Sequence, residues 1–152
     1  MFRKKGVLLT LLICMIIAFA VSVLFSINQR HSDRVIASFV AAMENAKAAF
    51  SDYQETGSGT SYKNGVAAIN DAVQIVLTEG ERLDIYQERQ TILASCNILS
   101  EHPRSVDENI SMLLSAINQI IKEPQKRVSY GKLLDFYNTI NHTTDREDTN
   151  PK

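Results

Sequence analysis

Residues 7–27, from Val7 to Ile27, read VLLTLLICMIIAFAVSVLFSI, and the fold turns on them. The run holds 21 residues without a charge. As a helix rising about 1.5 Å per residue it spans roughly 31 Å, the thickness of a bilayer hydrocarbon core. Thr10, Ser22 and Ser26 are its polar members, and a helical hydroxyl bonds back to a carbonyl one turn earlier. A soluble core helix would show a polar face, and this run has none. The sequence predicts a transmembrane helix over 7–27.

The flanks set its direction. Arg3, Lys4 and Lys5 precede the run, while Arg30 and Arg34, offset by Asp33, follow it. Lys and Arg favour the cytoplasmic side. The expected topology is a cytoplasmic amino terminus over 1–6 and everything from residue 28 outside, in a cell membrane crossed once. Secretion after signal-peptide cleavage is the alternative, because Ala18-Phe19-Ala20 fits a small-x-small cleavage pattern. Against it, the apolar run continues through Val21, Val23, Leu24, Phe25 and Ile27. Cys14 follows Ile13, where lipid attachment needs a small residue, so it reads as a membrane-buried thiol.

Composition narrows the classes. Apolar residues are 45% and charged residues 22% of the 152, which excludes a disordered chain. Two cysteines cannot staple a small scaffold. The absence of Trp, with 3 Pro and 6 Gly, disfavours a turn-rich β-sandwich. The net charge of −1 excludes a histone-like nucleic-acid binder. Without Arg3, Lys4 and Lys5, the 16 basic residues become 13 against 17 acidic ones, a charge of −4 from Asn28 onward. Nucleic acid and anionic lipid surfaces are therefore poor partners for that part as a whole.

From Asn28 on, the patterning is helical. Val35, Ile36, Phe39, Met43, Ala46, Phe50 and Tyr53 share one face of a helix over about 30–54. Thr56-Gly57-Ser58-Gly59-Thr60 is a polar loop, and Ser61 is a candidate N-cap. Tyr62, Val66, Ile69, Val73, Val76 and Leu77 make a second apolar face. Ile85, Ile92, Leu93, Cys96 and Leu99 share a face turned by roughly 160° from it at about 100° per residue. A break at Thr78-Glu79-Gly80, with Thr78 and Glu81 as a capping box, explains the flip better than one continuous helix over 61–100. His102-Pro103 ends that helix, and Ser105 with Glu108 forms a second capping box. Val106, Ile110, Leu113, Leu114, Ile117, Ile120 and Ile121 then form the strongest stripe, closed by Pro124. Ser129 is expected to cap a last helix carrying Tyr130, Leu133, Leu134, Tyr137 and Ile140. The expected fold is all-α: a single N-terminal transmembrane helix, then a four- or five-helix antiparallel bundle over 28–142, then a disordered tail over 143–152.

The search for chemistry yields no catalytic, cofactor-binding or metal-ligating residues. His31, His102 and His142 lie far apart, each without a second ligand at helical spacing. Cys96 lies on an apolar face, the setting of a buried hydrophobe and not of a reactive thiol. Glu79, Glu81, Asp84 and Glu88, interleaved with Arg82 and Arg89, read as a solvated helix face with mixed ion pairs. Gly57-Ser58-Gly59 lacks the remainder of a phosphate-binding loop. Asn109-Ile110-Ser111 and Asn141-His142-Thr143 match a glycosylation triplet that arises often by chance. Tyr53, Tyr62, Tyr86, Tyr130 and Tyr137 read as core anchors at the water boundary, with a ligand pocket between helices as the lesser reading.

The expectation for function is a membrane-anchored extracytoplasmic binding module, with no catalysis, that docks a membrane or extracytoplasmic protein or senses a ligand. No residue speaks for a particular small molecule. The alternative is a structural or assembly subunit of a membrane complex. The layout resembles, in outline, the helical-bundle ectodomains of bacterial membrane receptors. No motif carries that likeness, and the second membrane helix and cytoplasmic output of such receptors are lacking.

Overall fold

The computed structural model describes residues 2–80 and 88–148, and the side chains of 12–80 and 88–142. Every regular element among the described residues is helical. The α-helices are α1 (Phe2–Thr56), α2 (Gly59–Glu79), α3 (Arg89–Glu101), α4 (Pro103–Glu108), α5 (Ile110–Lys122) and α6 (Gly131–Asp148), with a 3-10 turn over Arg127–Tyr130 before α6. The chain divides into two units, one up to Arg34 and one from Val35 onward.

The first unit is the amino-terminal part of α1. Its apolar side chains from Leu12 to Ile27 are exposed, Phe19 to 72%. Ser26 Oγ donates to the Ser22 carbonyl at 2.9 Å, so this hydroxyl is satisfied within its own helix. By length and composition this is the one helix among the described residues able to cross a membrane.

The second unit begins with the rest of α1. Val35, Phe39, Ala42, Met43, Ala46 and Phe50 are buried at spacings of three and four, the stripe a packed helix needs. α1 then turns back into α2. Gly57 sits at φ 67, the left-handed region that an L side chain rarely occupies. Its N–H bonds the Tyr53 carbonyl at 2.8 Å, closing the end of α1. Ser58 caps α2, accepting from the Ser61 N–H at 3.4 Å. The cap thus stands three residues earlier than expected, and Ser61 is a buried helical residue whose hydroxyl bonds the Asp52 carboxylate of α1.

α2 ends at Glu79 with Gly80 as its C-cap, and α3 starts at Arg89. The break predicted from the flipped apolar face is present. Glu81, the second half of the proposed capping box, and Ile85 lie outside the described residues. α3 buries Ile92, Cys96, Ile98 and Leu99.

The next helix differs from expectation. Pro103, which lacks an N–H to satisfy, occupies the first turn of a short α4. Ser105 lies inside that helix and caps nothing. Asn109 interrupts the chain at φ −117 and donates from Nδ2 to the Ser105 carbonyl at 2.8 Å. α5 follows as a separate helix. Its buried face holds Ile110, Leu113, Ala116, Ile117 and Ile120, with Leu114 and Ile121 half-buried beside it.

Polar contacts fix which helices neighbour α1. Lys47 Nζ donates to Asn118 Oδ1 and Gln54 Nε2 to Ser111 Oγ, both at 2.9 Å. Ascending α1 thus meets descending α5. α2 and α3 meet through Tyr62 Oη to the Leu99 carbonyl at 2.6 Å and Cys96 Sγ to Asn70 Oδ1 at 3.1 Å. Lys132 Nζ of α6 donates to Ser115 Oγ of α5 at 3.0 Å.

Two late expectations are corrected. Ser129 is no cap: it is buried in the 3-10 turn, and its hydroxyl has no hydrogen-bond partner. α6 also continues through Asp148, into the stretch expected to be disordered. It buries Leu133, Phe136 and Ile140, while Leu134 is 44% exposed. Leu77, expected on the apolar face of α2, is likewise exposed.

Candidate functional site

Among the described residues of the second unit are two surface clefts. The first forms where α2 begins, α3 ends and α4 starts. Tyr62, Lys63, Val66, Leu99, Ser100 and Pro103 line about 350 Å³, mostly with apolar atoms. Local structure explains the walls. Ser58 starts α2 so that Tyr62 and Val66, one turn apart, face α3. Pro103 ends the run of α3 and turns the chain into α4, adding a third wall.

Tyr62 is the centre of this end of the unit. Its ring meets Tyr53 edge-on at 5.0 Å between centroids and Phe50 at 5.7 Å. Such edge-to-face pairs add about 0.5–1.5 kcal/mol beyond their area. Its hydroxyl is committed to the Leu99 carbonyl. Burial, then the nearby Tyr53 and Asp107, push the Tyr62 phenol up to about 12. At neutral pH it is a protonated donor that ties α2 to α3. Tyr53 is raised as well, first by burial and then by Asp107. A general base needs the opposite environment.

The second cleft, about 480 Å³, is lined by Glu88, Arg127, Val128, Tyr130, Gly131 and Leu134. Arg127 Nε meets Glu88 Oε1 at 3.0 Å across the chain. Glu88 is therefore half-buried against the 3-10 turn and not part of a solvated helix face. Its expected neighbours Glu81, Arg82 and Asp84, with Tyr86, lie outside the described residues. Tyr130 is fully buried, and its hydroxyl donates to the Pro124 carbonyl at 2.6 Å. Burial, then Glu88, raise its phenol further still.

The remaining candidates do not converge. Cys96 is buried, its thiol raised by that burial and bonded to Asn70. His31 and His142 are exposed, and His102 is half-buried at the junction of α3 and α4. Among the described residues no three His, Cys, Asp or Glu side chains group as metal ligands. Asn109 of the first glycosylation triplet is engaged with the Ser105 carbonyl. Of the five tyrosines, Tyr53 and Tyr62 come together, and Tyr130 stands by the other cleft.

The apolar stripes concealed two features. Pro103, read as a stop, is also a wall of the first cleft. Lys122, Lys126, Arg127 and Lys132 fall within eleven residues beside one acid, Glu123. That local excess was readable in the sequence but vanished in the total charge. Comparison with protein-family models, curated proteins and solved structures finds no match for this chain.

Proposed function

We propose that the protein is a single-pass membrane-anchored binding module. Its amino terminus is cytoplasmic, and a bundle of antiparallel helices from residue 28 onward faces the extracytoplasmic side and docks a partner protein. The observation that carries this reading is the contrast within α1. Leu12 to Ile27 leave their apolar side chains exposed, whereas Val35 to Phe50 bury a regular stripe. A surface of exposed Leu, Ile and Phe this long belongs in lipid. Arg3, Lys4 and Lys5 support the orientation.

Docking is preferred to small-molecule sensing because the Tyr62 cleft is open and largely apolar, with Lys63 and Ser100 at its rim. A ligand pocket encloses most of its occupant and converges several polar groups on it. An anchored cleft of this kind suits a side chain or helix of a partner. The alternative, an assembly subunit of a membrane complex, draws on the same exposed apolar helix and differs in where the partner binds.

Site-specific photo-crosslinking in native membranes tests the proposal. A photoreactive residue at Val66, inside the cleft, should give one discrete protein adduct, and one at exposed Asn138 should give none. Adducts only from positions within 12–27 would move the partner to the membrane helix and favour the assembly subunit. No adduct from either region would remove protein docking as the function.

A further inference from the structure

The first two turns of α2 make a poor helix by themselves. They read Gly59-Thr60-Ser61-Tyr62-Lys63-Asn64-Gly65. Lys63 apart, each of these residues ranks low in intrinsic helix propensity, and the two glycines rank lowest. Contacts from other elements hold the segment instead. The Ser61 hydroxyl bonds the Asp52 carboxylate, and the Tyr62 hydroxyl donates to the Leu99 carbonyl. The Tyr62 ring packs edge-on against Phe50 and Tyr53, and Gly65 abuts Phe50. A stretch kept helical by tertiary contacts opens locally when those contacts are broken, ahead of the global transition.

This stretch contains Asn64-Gly65, the one Asn-Gly pair in the chain. The pair ordinarily marks a tight turn. Here it lies inside a helix, where Phe50 leaves no room for a Cβ at position 65. Asn64 is exposed and Gly65 is buried. Asn-Gly is also the pair most prone to deamidate, because a following residue without a side chain lets its backbone nitrogen reach the Asn amide carbon. In the helix that nitrogen is engaged through its hydrogen with a carbonyl one turn earlier, and helical ψ at Asn64 disfavours ring closure. Opening removes both restraints.

We infer that Asn64 is a deamidation site gated by opening of the first two turns of α2. The Gly65 nitrogen attacks Asn64 Cγ, and the new N–Cγ bond replaces the Cγ–Nδ2 bond. The side-chain nitrogen leaves as ammonia, taking the proton that the Gly65 nitrogen gives up. Water then opens the five-membered imide at either carbonyl and leaves an aspartate or an isoaspartate at position 64. The aspartate adds a negative charge to an exposed position. The isoaspartate adds one atom to the main chain, which breaks the hydrogen-bond ladder of the helix and moves Gly65 off the Phe50 ring. The isoaspartyl chain therefore cannot rebuild this end of α2, including the Tyr62 wall of the first cleft.

Peptide mapping of the full chain in micelles, with isoaspartate detected by enzymatic methylation, tests this. At neutral pH Asn64 should deamidate more slowly than in the urea-unfolded chain, and at a rate that urea below the unfolding transition leaves unchanged. Tyr62→Phe, which removes the bond to Leu99, should speed the reaction roughly two- to tenfold, as the loss of one hydrogen bond implies. Ile120→Val, in the buried face of α5, lowers global stability by a similar amount and should leave the rate unchanged. The isolated isoaspartyl chain should unfold at lower urea than Asn64→Asp, which adds the charge without the extra atom. A rate that climbs with urea and rises equally in both variants would make the opening global and overturn the gating. A rate equal to that of the unfolded chain would show that this helix end does not restrain Asn64. No product in the folded native chain and in Tyr62→Phe would remove the site. Equal urea midpoints for the isoaspartyl chain and Asn64→Asp would overturn the claimed loss of this end of α2.

Discussion

Gly65 of α2 lies directly against the ring of Phe50 of α1: a Cβ at position 65 would come within 2.9 Å of three ring carbons. Phe50 is fully buried, so the ring has nowhere to move. Two opposing effects bear on Gly65→Ala. Replacing a helical Gly gains about 1 kcal/mol of helix propensity. Overpacking a rigid ring costs about 1–3 kcal/mol. The contact is too short for the first to win, so Gly65→Ala should lower the urea midpoint of the full chain in micelles. Phe50→Leu in the same chain should restore part of the loss. A stabilised Gly65→Ala protein would show that α1 and α2 are not packed this closely.

The α5 stripe carries a second expectation. Leu113 and Ile117 are fully buried. Truncating either to Ala should cost about 2–5 kcal/mol. Asn138→Ala, at an exposed position of α6, should change stability by less than about 0.5 kcal/mol. Thermal unfolding measures both, and equal small effects would remove α5 from the core.

Much of the helical order was legible in the sequence because amphipathic periodicity reports burial directly. The stripes Val35 to Phe50 and Ile110 to Ile120 lie where that periodicity put them, and the reversed faces around Gly80 located a real break. Caps were less legible. Ser58 and Ser61 are both good N-caps, and the left-handed Gly57 decides for the earlier one. Ser105 with Glu108 fits a capping box, yet Pro103 had already started the helix. Ser129 looked like a cap because nothing local says that the 3-10 turn buries it. Phe136, between Asp135 and Tyr137, was not among the expected core residues although it is fully buried. The Tyr62 cleft joins residues 62 and 99, and no local pattern encodes that pairing.

Tyr62 gives the unit a defined response to alkali. Its folded phenol is raised to about 12 from an ordinary value of 10.0. The folded state therefore holds the proton more tightly than the unfolded chain. Stability from this group is fully present below pH 10 and is lost as pH rises through about 12. Urea midpoints measured across that window should fall more steeply for the native chain than for Tyr62→Phe. Parallel slopes would mean that the Tyr62 hydroxyl is not held by Leu99.

Cys96 should behave as a core side chain. In a Cys14→Ser background it should react slowly with an alkylating reagent when folded and quickly in urea, because burial raises its thiol pKa and blocks access. Cys96→Ala should leave Val66 crosslinking intact and cost no more than about 2 kcal/mol. Rapid labelling of the folded chain would place the thiol at a working surface.

The most direct test of the account is the side of the membrane on which the residues after Asn28 lie. Protease added to intact cells or spheroplasts should digest them, and the protein should keep its original amino terminus. Protection in spheroplasts with digestion only in inverted vesicles would contradict the orientation, and a mature chain beginning at Val21 would contradict the anchor.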